Sequence, residues 1–220
     1  MREKIRGVIF DFDGVIVDSE YRFTRGVKGL LEGYGLTPPE EELARLPGQP
    51  IPSIIRSMKD IFHLEKSEEE LMADMHIVYG QIEKLELDPV EGVKEFIQYL
   101  KDQGIRYAVA TSANVHHITD AMEQAGLHFW YDEVVTHDDV THGKPDPEVF
   151  LKAAQKLSLP KENLIIIEDS ANGVRAGIRS GIFTIGLKNR RVPLDISEAD
   201  LQCEGYSEIK QYIEERNNSL

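Results

Sequence analysis

Short apolar runs that stop abruptly at polar residues, each near a helical stretch, recur along this chain. Val8-Ile9-Phe10 runs into Asp11-Phe12-Asp13-Gly14, Tyr107-Ala108-Val109-Ala110 into Thr111-Ser112-Ala113-Asn114, and Leu164-Ile165-Ile166-Ile167 into Glu168-Asp169-Ser170. A further polar cluster, Gly143-Lys144-Pro145-Asp146-Pro147, opens a helix from Glu148 to Leu157. Continuous apolar runs of this length suit parallel strands buried on both faces. Beyond Gly92 the alternation is regular: helix 92–103, strand 106–110, helix 114–125, strand 132–136, helix 147–157, strand 163–167, helix 171–180 and strand 182–187. A short strand near 199–201 and a helix over 207–216 close the chain. This pattern predicts an α/β fold, a doubly wound, Rossmann-like parallel sheet with helices on both faces.

In open sheets of this kind, ligands bind beyond the carboxyl ends of the strands, and the polar clusters fall there. Asp11 and Asp13 sit two residues apart, a spacing that shares one face in an ideal strand. A turn at Gly14 re-aims the second acid toward the first. Two adjacent acids repel, so a pocket holding both calls for a divalent cation, a proton or a cationic side chain. Glu168-Asp169 adds a second acidic pair. Oxygen ligands of this kind suit a hard cation such as Mg²⁺, held by few carboxylates together with phosphate and water. Lys144 and the amides at helix starts suit the phosphate.

Taken in order, DFDGVIVDSE, VATSAN, GKPDP and IIEDSANGV resemble the motifs of the haloacid dehalogenase superfamily, in its phosphatase and β-phosphoglucomutase-like branch. The resemblance spans nearly the whole chain. It implies that Asp11 is the nucleophile that takes up a phosphoryl group, and that Asp13 is the acid/base that protonates the leaving oxygen and then activates water. It also implies that Thr111, Ser112 and Lys144 bind phosphate, with Lys144 neutralising Asp11. The implied Mg²⁺ set is Asp11, Asp13 through its backbone carbonyl, Glu168 and Asp169. Asp13 argues against the dehalogenase chemistry that names the superfamily, because a departing halide needs no proton. The activity this implies is a Mg²⁺-dependent phosphatase of a small phosphorylated metabolite. A β-phosphoglucomutase-type isomerisation stands second, and a catalytically idle binding protein third.

Between the first motif and Gly92 the alternation gives way to helices alone, over 21–34, 39–46, 51–63 and 67–87. Ser67-Glu68-Glu69-Glu70 has the form of a capping box. The resemblance makes residues 19–89 a small helical cap inserted into a core of residues 1–18 and 90–220, with hinges near 18–20 and 88–92. Substrate choice belongs to the cap loop Leu46-Pro47-Gly48-Gln49-Pro50-Ile51-Pro52. β-Phosphoglucomutases carry a lysine before this glycine and an arginine soon after it. Here Pro47 precedes Gly48, Gln49 follows, and no cation appears until Arg56, which favours hydrolysis over mutase chemistry. Arg45 or Arg56 would be the replacement grip for a second phosphate, and Arg22 and Arg25 on the first cap helix are further candidates, set against the commoner role of an arginine on a helix surface, which is solvated.

Composition adds bounds. A hydrophobic share of 41% in 220 residues supports a full core, and no stretch has the apolar length of a membrane span. The opening residues Met-Arg-Glu-Lys lead straight into the first strand without the form of a signal peptide, and the single Cys203 excludes internal disulfides. Together these predict a cytoplasmic protein, expected to be a monomer. A net charge of −14 argues against nucleic acid as a partner. His116-His117 opens a helix with its side chains on different faces, which disfavours a metal site there. His137 and His142 flank an acidic pair in a connecting loop, and Trp130 beside Phe129 reads as core packing.

Overall fold

The computed structural model describes residues 3–43, 46, 51–82, 87–127, 131–189 and 194–219. In chain order the elements are β1 (Gly7–Phe10), α1 (Ser19–Gly33), α2 (Glu40–Leu43), α3 (Ile51–Phe62), α4 (Glu68–Ile82), α5 (Val93–Asp102), β2 (Arg106–Ala110) and α6 (Val115–Gln124). They continue with β3 (Glu133–Val135), α7 (Glu148–Leu157), β4 (Leu164–Glu168), α8 (Ala171–Ser180), β5 (Phe183–Leu187), β6 (Leu201–Cys203) and α9 (Tyr206–Asn218). Residues 19–87 form one compact unit, and residues 3–18, 88–189 and 194–219 form the other.

In the α/β unit, the described strands form one parallel sheet in the order β3-β2-β1-β4-β5-β6. β1 is central, with Val8 opposite Tyr107 on one side and Ile165 on the other. Every residue of β1 and β4 is buried, which explains why their sequences are apolar without alternation. On one face, Ile9, Ala108, Leu164 and Ile166 pack with Val149, Phe150, Ala153 and Leu157 of α7. On the other, Phe10 meets Phe96 and Tyr107 edge-on at ring distances of 5.9 and 6.2 Å, and Phe96 lies 4.9 Å from Tyr206. Adjacent residues of β1 thus serve opposite layers, the period-two rule of a strand. The order reverses between β1 and β4, the switch point where such sheets open a crevice beyond their carboxyl ends.

The last strand lies two residues later than its expected position at 199–201, because register with β5 pairs Ile185 with Leu201 and Leu187 with Cys203. That pairing buries Cys203, whose neighbour Gln202 stays exposed.

In the helical unit, Val27 and Leu31 of α1, Leu43 of α2, Leu46, then Ile54, Ile55 and Met58 of α3, and Leu71 and Met75 of α4 form a separate core. The predicted capping box is present: Ser67 N–H donates to Glu70 Oε2 at 2.9 Å and Glu70 N–H to Ser67 Oγ at 3.1 Å. The Tyr34 hydroxyl and the Lys66 ammonium both donate to Asp74, tying α1 to α4. Three helices end differently from expectation among the described residues. α2 is described over Glu40–Leu43, and Leu46 is not helical. α3 ends at Phe62, where His63 turns left-handed with φ 52°. α4 is described to Ile82, and Leu87 is not helical. The reading of Phe129 and Trp130 as core lies outside the described residues. Among the described residues, no helix is long and apolar enough to cross a membrane.

Gly177 shows how tightly α8 lies on β5. A Cβ built there would sit 2.4 Å from Thr184 Oγ1 and 2.8 Å from its Cγ2, both deeply buried. Gly177→Ala should therefore destabilise the protein by about 1–3 kcal/mol in denaturant titration, despite the ~1 kcal/mol gain in helix propensity. A stabilised variant would show that α8 moves aside freely.

Candidate active site

Asp11 follows the last residue of β1. Its N–H donates to Ile167 O at 2.9 Å, carrying the β1–β4 ladder one residue past the strand. That bond brings Asp11 to the level of Glu168, the last residue of β4, and of Asp169. All three carboxylates are buried, and one oxygen from each lies within 4.8 Å of the others. Lys144 enters from the loop before α7 and is itself buried. Its ammonium lies 2.6 Å from Asp11 Oδ1 and 2.6 Å from Glu168 Oε1, and 4.9 Å from the centre of the Phe150 ring.

Burial pushes the Asp11 carboxyl from 3.8 up to about 7, with the Lys144 ammonium opposing the rise and Glu168 adding to it. For Lys144, burial acts to release its proton, but the charges of Asp11 and Glu168 outweigh it and hold the ammonium above its ordinary value. Lys144 is therefore a fixed cation. One ammonium against three buried carboxylates leaves a local excess of negative charge. An all-oxygen donor set at this spacing fits a hard divalent cation such as Mg²⁺.

Backbone and glycines keep the acids in place. Glu168 Oε2 accepts from Ser170 N–H at 2.8 Å and Ser170 Oγ at 3.0 Å, and Ser170 Oγ in turn caps α8 by accepting from Gly173 N–H at 3.1 Å. A Cβ on Gly173 would fall 1.6 Å from Glu168 Oε1. Gly14, left-handed at φ 75°, would place a Cβ 1.8 Å from Asp169 Oδ2. Each glycine leaves the room that a carboxylate fills.

Asp13 belongs to a tight turn over residues 11–17, in which Phe12 O accepts from Ile16 N–H at 2.8 Å and Val17 N–H at 3.2 Å, and Gly14 N–H donates to Val17 O at 2.7 Å. The turn is pinned from α9, where the buried Tyr206 hydroxyl donates to Val15 O at 2.6 Å. Burial, with the charges of Asp169 and Asp11, holds that phenol well above its ordinary value, so it remains a neutral donor. Thr111 is buried at the end of β2, and its Oγ1 accepts from Ala113 N–H at 3.0 Å. Ser112 beside it is exposed.

Two contributors escape a reading of the sequence. Tyr206 stands far from every motif. His117 places Nε2 3.2 Å from Asp13 Oδ1, across 104 residues of chain. The only signal for His117 is its place in the first turn of a helix that starts at a strand's carboxyl end. Of the cap residues, Arg45, Gly48 and Gln49 lie outside the described residues. Arg56 is exposed on α3, with Nη2 3.4 Å from Ser53 Oγ. Arg25 is exposed as expected, over the Tyr21 ring. Arg22 is buried, unlike a solvated helix-surface arginine.

The family model described as haloacid dehalogenase-like hydrolase matches residues 8–187. The chain is 29% identical over 185 residues to a phosphorylated carbohydrates phosphatase of Thermotoga maritima, covering 82% of this chain and 84% of that protein. It is 28% identical over 212 residues to hexitol phosphatase A of Escherichia coli, covering 94% of each. Among solved structures, a haloacid dehalogenase family hydrolase from Deinococcus radiodurans, with bound phosphate and sodium, superposes with a TM-score of 0.85 at 22% identity over 96% of each chain.

The raised Asp11 carboxyl has a measurable sign. Folded Asp11 holds its proton up to about 7, whereas the unfolded group releases it near 3.8. The folded state thus binds the extra proton across that window, and stability falls as pH rises through it. In chelator-treated protein, Asp11→Asn should flatten this slope and exceed wild type in stability at pH 8 by roughly 1–3 kcal/mol. Equal pH slopes in the two proteins would refute the burial argument.

Proposed function

The chain belongs to the haloacid dehalogenase-like hydrolases, and from that premise we propose that it is a Mg²⁺-dependent phosphatase of small phosphorylated metabolites, with sugar phosphates the favoured class. The observation that carries this reading is the buried Lys144 ammonium bridging Asp11 and Glu168, with Asp169 beside them. Relatives named for phosphorylated carbohydrates and hexitols support the substrate class. The lone buried Cys203, its thiol pushed up by burial to about 11, accords with a cytoplasmic setting.

In the first half-reaction an Asp11 oxygen attacks phosphorus. The bond from phosphorus to the ester oxygen breaks as the acyl phosphate forms, and Asp13 gives its proton to the departing oxygen. In the second, water attacks the same phosphorus, Asp13 takes a proton from that water, and the bond to Asp11 breaks. The products are the alcohol and inorganic phosphate, with Asp11 regenerated. Dividing one difficult displacement in two is the advantage of a covalent carboxylate nucleophile.

Lys144, Thr111 and Ser112 would hold the phosphoryl oxygens, and Lys144 also opposes the burial that favours protonated Asp11 and aims its carboxyl. Asp11, Asp169 and Glu168, with the Asp13 carbonyl, would hold Mg²⁺. The bound ion supplies the positive charge that lets an anionic nucleophile approach a phosphate dianion. The transition state of phosphoryl transfer is loose, so positioning and charge do most of the work.

Wild type should hydrolyse p-nitrophenyl phosphate and members of a sugar phosphate panel with Mg²⁺, lose activity with a chelator and regain it on adding the ion. Asp11→Asn should fall below about a thousandth of wild-type kcat, as expected on removing a covalent nucleophile, and Lys144→Met should lose about 10²–10³-fold. A wild type inert across the panel, or an active Asp11→Asn, would refute the proposal.

A further inference from the structure

Asp13 sits on backbone held from several sides. Phe12 O gathers N–H groups from Ile16 and Val17, Gly14 bonds to Val17, and Tyr206 holds Val15. What these contacts leave unset is the rotation of the Asp13 side chain itself. An acid that must deliver a proton to one departing oxygen has to be held within about 0.5 Å and 10–20° of the productive geometry.

His117 is placed to do this. Its backbone N–H is held by the Asn114 side chain at 2.9 Å, so the cap of α6 fixes the point from which the imidazole projects. The ring packs edge-on against Phe12, 6.1 Å between centroids at 81°, and presents Nε2 to Asp13 Oδ1 at 3.2 Å. With the Nε2–H tautomer the imidazole donates and Oδ1 accepts, a role that oxygen can fill while the other oxygen of Asp13 carries the proton. The bond engages one carboxylate oxygen and leaves the other for the ester. The side chains of His117 and Asp13 are 47% and 30% exposed, so the pair lines solvent-reachable surface, open to substrate.

We infer that His117 is the positioning residue of Asp13, orienting the acid toward the oxygen that leaves phosphorus. The inference rests on the reading of Asp13 as acid/base given above. It acts where proton delivery matters: an alkyl phosphate needs its leaving oxygen protonated, whereas p-nitrophenolate leaves with little help.

The test compares His117→Phe, which keeps the ring on Phe12 but cannot donate, with His117→Gln, which can. For a sugar phosphate, His117→Phe should lower kcat/KM about tenfold, within the ~10²–10⁴-fold that general acid–base catalysis supplies as a whole. For p-nitrophenyl phosphate it should change kcat/KM by less than about threefold, because that leaving group draws little on the acid. His117→Gln should recover most of the loss on the sugar phosphate. In an Asp13→Asn background, His117→Phe should cost nothing further. Equal losses on both substrates, no rescue by glutamine, a faster His117→Phe, or full additivity with Asp13→Asn would each overturn the assignment while leaving the phosphatase reading intact. A wild type without turnover on any phosphate ester would instead remove that reading and this inference with it.

Discussion

A single buried ammonium holds this site together. Lys144 lies between Asp11, from the end of β1, and Glu168, from the end of β4, at 2.6 Å from each. Without it, neighbouring carboxylates would face one another in a medium where charge is poorly screened. With it, two adjacent strand ends can both finish on acids. The lysine meets them through the loop before α7, while α7 itself buries Phe150 beneath the ammonium. Sheet, loop and helix converge on one charged group, and each depends on the others being in register.

That register comes from elementary causes. β1 and β4 are apolar because both faces of the sheet are covered. Their pairing sets Phe10 opposite Ile167, so the residues that follow emerge side by side. The reversal of strand order between them keeps that place clear of crossover connections. Chemistry located there is a consequence of how the chain winds, and the identity of the acids is what the sequence adds to it.

Much of this was visible in one dimension, for a physical reason. Asp11 and Asp169 directly follow β1 and β4, Glu168 ends β4 and Lys144 lies in the loop that leads into α7, so local pattern places them. The strand 201–203 was misplaced by two residues because its position is fixed by pairing with β5 and not by its own short, mixed sequence. Arginines on helices are usually solvated, and only the folded structure shows that Arg22 is buried. Tyr206 carries no local signal and His117 only its place in the first turn of a helix: their partners lie 191 and 104 residues away. Contacts of that range are set by topology, and a linear reading cannot see which turn of a distant helix will face a loop.

Gly173 shows what such close approach means for how a chain of this kind can change over time. Glu168 fills the place its side chain would take, much as Asp169 does at Gly14. Neither glycine can become alanine without a buried acid shifting. Neither acid's reach can lengthen while its glycine's neighbourhood stays as it is. Each acid and its glycine are therefore coupled, and a lineage crosses to a different arrangement only by altering both members together. The motif is an epistatic knot, narrow in the steps open to it by volume and, at Gly14, also by a left-handed backbone.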